Sequence, residues 1–370
     1  MLAGPKKLLA LATAGVLALA ASAQSNDVFL AGVQANFARW DQNHDGVLSG
    51  NELDVVVADP QTTGTNAAIV AALKRASRQV KMSVPPLTLE NIAFCTARRQ
   101  PDLGLMFREG WKRIAGATNR NLFVGGLPKL ETIHQGRLGN CFCLAPLGAM
   151  VHRNPAEVAA RFTLATNGNY SVRLGKKTVE VPPPTDAEIA MTSSNEHEGI
   201  WVNIYEMAVG TARNDDRPAD QRVPAPLDTL ARGGSAGTML AALTGHEITR
   251  VTFKFAKMPV SATNDVAAKL NSLRKKIATA VAENRLMTTG TVKPTTPGLT
   301  PNHAYAVLGY EAERDAVRLW NPHGQNFKPK GVPGPETGYP TTNGIFAMPL
   351  CEFVQQFSGM AFELHPSVLP

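Results

Sequence analysis

Several absences narrow this chain of 370 residues before any motif is read. It has no dense block of lysine and arginine. The formal charge of +7 is spread along the sequence, which argues against a nucleic-acid partner and leaves basicity as an aid to solubility or weak surface adhesion. No internal repeat is visible, and beyond the N-terminus no apolar run reaches the ~20 residues that a membrane span needs. Charged residues make up only 18% and apolar ones 44%, the balance of a globular protein, not a disordered one. The length suffices for one large or two moderate domains with a sizeable core. Cysteines are few: Cys95, Cys141, Cys143 and Cys351.

What is present begins with the first 23 residues. Lys6 and Lys7 precede an apolar stretch at 8–20, and Ala21-Ser22-Ala23 supplies small residues before Gln24. This is the pattern of a cleaved secretory signal peptide, with an uncleaved anchor as the alternative. The expected mature chain starts near Gln24, is secreted or periplasmic, and keeps no stable membrane span. Disulfides persist in such compartments. Cys95–Cys351 is one possible pair, whereas a Cys141–Cys143 bond would close a strained, easily reduced ring.

Residues 41–52 read DQNHDGVLSGNE and place an oxygen donor at each position of an EF-hand loop. Asp41, Asn43 and Asp45 offer side-chain oxygens, Val47 its carbonyl, Ser49 the water-mediated position and Glu52 both carboxylate oxygens. Gly46 allows the sharp turn. The set predicts Ca2+, with helices over 28–40 and 53–58. EF-hands usually pair and one loop is apparent, so modest affinity is expected. A linker-like PQTTGT follows at 60–65, then a basic helix at 67–82 ended by Pro85-Pro86. The expected division is a signal peptide at 1–23, an EF-hand region and linker at 24–95, and a larger domain at 96–370.

The larger part carries four polar residues in a telling order. Gln135 precedes Cys141 in QGRLGNC, His303 opens NHAYAVLGY about 160 residues later, and Asn321 closes VRLWN. A thiol attacks a carbonyl as its thiolate, which a neighbouring imidazolium or a helix N-terminus favours. An apolar stretch at 144–151 reads as a helix with Asn140 as its N-cap, putting the sulfur where the helix dipole favours negative charge. His303 would act as base and then acid, and Asn321 would fix its tautomer. Gln135 would join the Cys141 backbone N–H in stabilising an oxyanion. The β-prone runs 304–310 and 316–320 form a hairpin about Glu313 that brings His303 and Asn321 side by side, unless the register slips by one residue. Taken singly, Cys141 would read as a small buried apolar residue and Asn321 as a turn residue before Pro322. Cys143, Trp201 and Trp320 read as core, and His152, His246 and His323 as surface or capping residues. The Pro/Thr-rich loop 293–302 leads into His303 and is a candidate gate.

These motifs, with GIWVNIYEMAVG at 199–210 and GGSAGTMLAALTG at 233–245, resemble the protease core of calpains over roughly residues 100–365. The resemblance implies a papain-like α+β fold, with a helical half bearing Cys141, a β-rich half bearing His303 and Asn321, and a cleft between them. It also implies a protein or peptide substrate, a substrate-lining role for Gly233 and Gly234, and a cysteine endopeptidase, which the N-terminal pattern and the loop 41–52 extend to a secreted, calcium-binding one. Several positions depart from the family pattern: Asn140 stands for Asp, Phe142 for Trp, Asn302 for Gly and His323 for Trp, while Pro146 interrupts the helix. Two other readings stay open, a catalytically silent calcium-binding protein on the same fold and a transglutaminase-type acyl transferase. The oligomeric state is not legible.

Overall fold

The structure, a computed structural model, describes residues 25–78, 85–96, 101–257 and 263–364. The expected signal peptide at 1–23 lies outside the described residues. Those described form two compact units. One contains the residues up to Thr118 together with Pro184–Met191, and the other contains Asn119–Pro183 and the chain from Thr192 onward. Among the described residues no helix is long and apolar enough to cross a membrane.

The first unit is helical. It comprises α1 (residues 25–40), α2 (Gly50–Ala58), α3 (Gly64–Ser77), α4 (Leu89–Thr96) and α5 (Leu103–Gly116). Between α1 and α2 lies the loop 41–52. Ser49 and Glu52 form a capping box at the start of α2, the hydroxyl accepting the Glu52 N–H and the carboxylate accepting the Ser49 N–H, which satisfies two donors that a helix start leaves open. The Ala-rich α3 buries Ala67–Leu73 among Phe29, Trp40, Leu53 and Phe107. Into this core the chain later returns a short helix, α8 (Asp186–Met191), bringing Ala187, Ala190 and Met191. Thr185 and Glu188 cap α8 reciprocally, Asp186 accepts the Gly64 N–H at 2.8 Å, and Gly110 of α5 lets the Ala190 methyl approach closely.

The second unit holds α6 (Cys141–Arg153), α7 (Pro155–Ala159), α9 (Trp201–Asp215), α10 (Asp228–Ala231), α11 (Ala236–Thr244), α12 (Thr263–Ala282) and α13 (Leu350–Gln356). A three-stranded sheet runs β1 (Phe162–Leu164), β2 (Tyr170–Leu174), β3 (Lys177–Val181). The remaining strands are β4 (Ile248–Thr252), β5 (Met287–Thr291), β6 (Ala304–Glu311), β7 (Ala316–Trp320), β8 (Ile345–Pro349) and β9 (Phe357–Glu363). They form an antiparallel sheet in the order β4-β9-β5-β6-β7-β8. Its core includes Tyr305, Val317, Leu319, Phe353 and Phe362, covered by Leu273 and Ile277 of α12. Helix α6 packs on β6 and crosses the sheet at Gly148, where an added Cβ would overlap the ring of Trp320.

The hairpin expected about Glu313 forms, with one irregularity. Glu311 faces Ala316 and Gly309 faces Arg318, but Val307 then faces Leu319 and Ala306 faces Trp320. The extra residue, Leu308, is a bulge. Facing residues share a side of the sheet and side chains alternate along each strand. The bulged register therefore puts His303 and Asn321 on one side, and an unbulged continuation would have put them on opposite sides. Pro146 sits inside α6, where it withholds one backbone donor. Trp201, Trp320 and Cys143 are fully buried. All four cysteines are free thiols, so the possible Cys95–Cys351 bridge is not formed: Cys95 is buried and Cys351 exposed.

Candidate functional site

Cys141 opens α6 and is half-buried, and the loop before it is held from below. Asn140 does not cap the helix, contrary to expectation. Its side chain is fully buried and donates to Glu206 of α9, which also accepts from the Ser193 N–H at 2.8 Å and the Ser193 hydroxyl at 2.5 Å. An Asp at 140 would set a second carboxylate against this buried one, so the amide suits the site as built. Glu206 is the residue that sequence reasoning passed over. The available signal was a carboxylate within the largely apolar run Trp201–Gly210 of α9.

His303 lies at the head of β6, 6% exposed. Asn302 before it adopts φ +48°, a left-handed conformation that Gly or Asn tolerates best. The His303 backbone N–H donates to Thr291 Oγ1 at 3.2 Å, and its Nε2 meets Asn321 Oδ1 at 2.8 Å. The same Oδ1 accepts the backbone N–H of His323 at 3.0 Å, while Asn321 Nδ2 reaches Thr300 Oγ1 at 3.4 Å. A backbone N–H can only donate, so the atom it meets is the carbonyl oxygen. Nε2 must then carry the proton, and the Nδ1 lone pair is the basic one. His323 is not a surface or capping residue. Its ring stacks on that of His303, with centroids 4.5 Å apart and planes at 6°, and covers the His303–Asn321 pair. Tyr305 meets His303 edge-on at 5.1 Å.

Cys141, His303 and Gly234 line one cleft of about 340 Å³ with Ser235, Asn302 and Ala304. Burial pushes the Cys141 thiol up, against the opposing pull of the Ala304, Phe142 and Cys141 backbone amides. Burial, with His323 alongside, lowers the His303 imidazole to about 3, although Asn321 favours its charged form. Both shifts favour the neutral thiol and the neutral imidazole, against the thiolate that a helix N-terminus alone would favour. Gly234 permits the close approach of Phe142 and Arg213, each within 2.8 Å of a Cβ placed there. Gly233, at φ +72°, presents its carbonyl to Arg213. Gln135 is tied by its backbone N–H to the Pro322 carbonyl at 2.8 Å, next to Asn321, and its Oε1 is buried without a hydrogen-bond partner. The loop at 293–302 is fastened. Gln356 accepts from the Thr295 and Thr296 amides, and the Tyr305 hydroxyl from the Thr300 amide.

In the loop 41–52, the donors are the hard oxygens that calcium takes. Asp41 accepts the Asp45 and Gly46 amides, and Asp45 accepts the Val47 amide at 2.8 Å. Asn43 Oδ1 accepts the Asp45 amide at 3.1 Å. Glu52 accepts the Gln42, Asn43 and Ser49 amides. Burial raises its pKa, but these amides and the Ser49 hydroxyl outweigh it and keep the carboxyl below its usual range. The set fits calcium in kind and in order. Among the described residues, however, no three His, Cys, Asp or Glu side chains gather around a common metal position.

Residues 100–331 match the family model described as calpain family cysteine protease. Among curated proteins, none matches the chain.

Proposed function

Because the chain belongs to the calpain family of cysteine proteases, we propose that it is an exported endopeptidase with Cys141 as nucleophile, His303 as base and acid, and Asn321 as the residue that orients the imidazole. The observation that carries this reading is the tautomer fixed by Asn321, with Nε2–H donated to Oδ1 and the basic Nδ1 left for a thiol in the same cleft. Sγ attacks the peptide carbonyl while Nδ1 takes the thiol proton, so proton removal accompanies attack instead of preceding it. The Cys141 N–H and the Gln135 amide stabilise the oxyanion. The departing amine takes the proton from Nδ1, leaving a thioester, which water hydrolyses with His303 again as base.

Hydrolysis of a fluorogenic peptide by the exported form, whose first residue by mass spectrometry should be Gln24, tests the assignment. Cys141→Ala and His303→Ala should abolish cleavage. Asn321→Ala, which loosens orientation only, should keep a rate about 10- to 1,000-fold below wild type. Full activity in Cys141→Ala would reject the nucleophile, and a silent wild type would favour a binding protein on this fold. We also infer that the loop 41–52 binds calcium, supported by its donor types and order between two helices. Glu52 would then exchange its amide partners for the ion. No catalytic step depends on that site.

A further inference from the structure

Beside the catalytic cleft lies a second depression of about 360 Å³, bounded by β4, the short turn after it and one face of α12. Its rim carries Arg250, Lys254, Lys269 and Lys276, all exposed, while Phe255 and Leu273 form a buried apolar floor. No carboxylate lines it. On α12, Lys269, Leu273 and Lys276 follow at intervals of four and three residues, the spacing that sets side chains on one helix face. Arg250 is held toward α11 by a 3.0 Å hydrogen bond from its guanidinium to Thr238 Oγ1. Arg250, Val251 and Thr252 line both this depression and the cleft that contains Cys141 and His303. The two adjoin along the edge strand β4, with Arg250 turned toward α11 and Val251 packed on the α12 side, and an extended polypeptide leaving the cleft would cross that edge to reach the depression.

We propose that this basic groove extends the substrate site and recognises acidic segments of polypeptide substrates some residues away from the bond to be cut. The inference rests on the peptidase reading of the cleft. Charge complementarity favours an acidic occupant, since a cationic rim over an apolar floor, with Lys254 and Lys276 exposed on it, can take carboxylates above and aliphatic or aromatic side chains below. A site at the cleft's margin acts mainly on substrate capture, so its effect belongs in KM and should weaken with salt.

The test uses the full chain and paired fluorogenic peptides that share the residues around the scissile bond. They differ in a run of Glu and Asp, against Gln and Asn, at either end. The acidic member of one pair should show kcat/KM higher by about tenfold at low salt, carried by KM, as several exposed ion pairs together would give. In the Lys254→Glu/Lys276→Glu variant that preference should fall below about twofold, with the neutral peptide cleaved as before. Equal cleavage of acidic and neutral peptides by wild type, or an unchanged preference in the variant, would overturn the groove while leaving the peptidase intact. If no peptide is cleaved, the peptidase reading fails separately. Fluorescence anisotropy of the acidic peptide on Cys141→Ala then decides the groove. Salt-sensitive binding that disappears when Lys254→Glu and Lys276→Glu are added supports it, and absence of binding refutes it.

Discussion

Asn321 Oδ1 takes two donors at once, the ring N–H of His303 and the backbone N–H of His323. This double use makes the imidazole orientation a property of the backbone as much as of one side chain. Burial has a second effect at this scale. The His303 pKa stands at about 3 in the folded chain, below the ordinary value near 6.5, so between those pH values the unfolded chain binds more protons than the folded one. The stabilisation from keeping His303 neutral is fully present above about pH 6.5 and is lost as pH falls toward 3, with a slope of at most about 1.4 kcal/mol per pH unit from this residue. Melting temperatures from pH 7 to 4 should thus fall less steeply for His303→Asn than for wild type. Identical slopes would show that His303 is not buried neutral.

At the scale of elements, Cys141 and Asn321, the proposed nucleophile and orienting residue, are linked through one helix–sheet contact. Helix α6 starts at Cys141, and the β7 residue before Asn321, Trp320, fills the space left by the missing side chain of Gly148. Gly148→Ala gains helix propensity but forces its methyl into a fully buried ring. Overpacking of this kind costs about 1–3 kcal/mol. A lowered melting temperature should come with a disproportionate loss of kcat, because either adjustment moves Cys141 or Asn321, both proposed to serve catalysis. An unchanged melting temperature would mean that the contact is slack. The elements themselves were legible: α6 and the β6–β7 hairpin follow from apolar runs, β-branched residues and a charged turn. The Leu308 bulge was not, since no Gly or Pro marks Leu308 itself and one extra residue leaves the apolar pattern readable in either register. Nor was the place of His323 above His303, which depends on the chain turning back after Pro322.

For the whole molecule, the motifs announced the family, but not which segments fold together. Residues 186–191 read DAEIAM, too short a stretch to say where it packs, and they belong to the N-terminal helices. This bears on how calcium must be tested. A fragment begun at Asn119 would keep α8 without its partners and expose Ala187 and Ala190, which are buried in the N-terminal core of the full chain. The full-length protein is the proper subject. Calcium should raise its melting temperature, by about 2.7 kcal/mol of stabilisation at 100-fold excess over Kd, and Glu52→Gln should remove most of that gain. The same rise in both proteins would exclude the loop 41–52 as the site.

The return of α8 to the N-terminal helices also governs what a cut would do. Cleavage between Thr118 and Asn119, by the enzyme on itself or by another protease, would separate the chain into two polypeptides without separating the two units. The N-terminal piece would still hold α8, whose backbone continues on both sides into the other polypeptide. The clipped protein would migrate as one species until denatured, and loss of the N-terminal helices would require unfolding as well as hydrolysis.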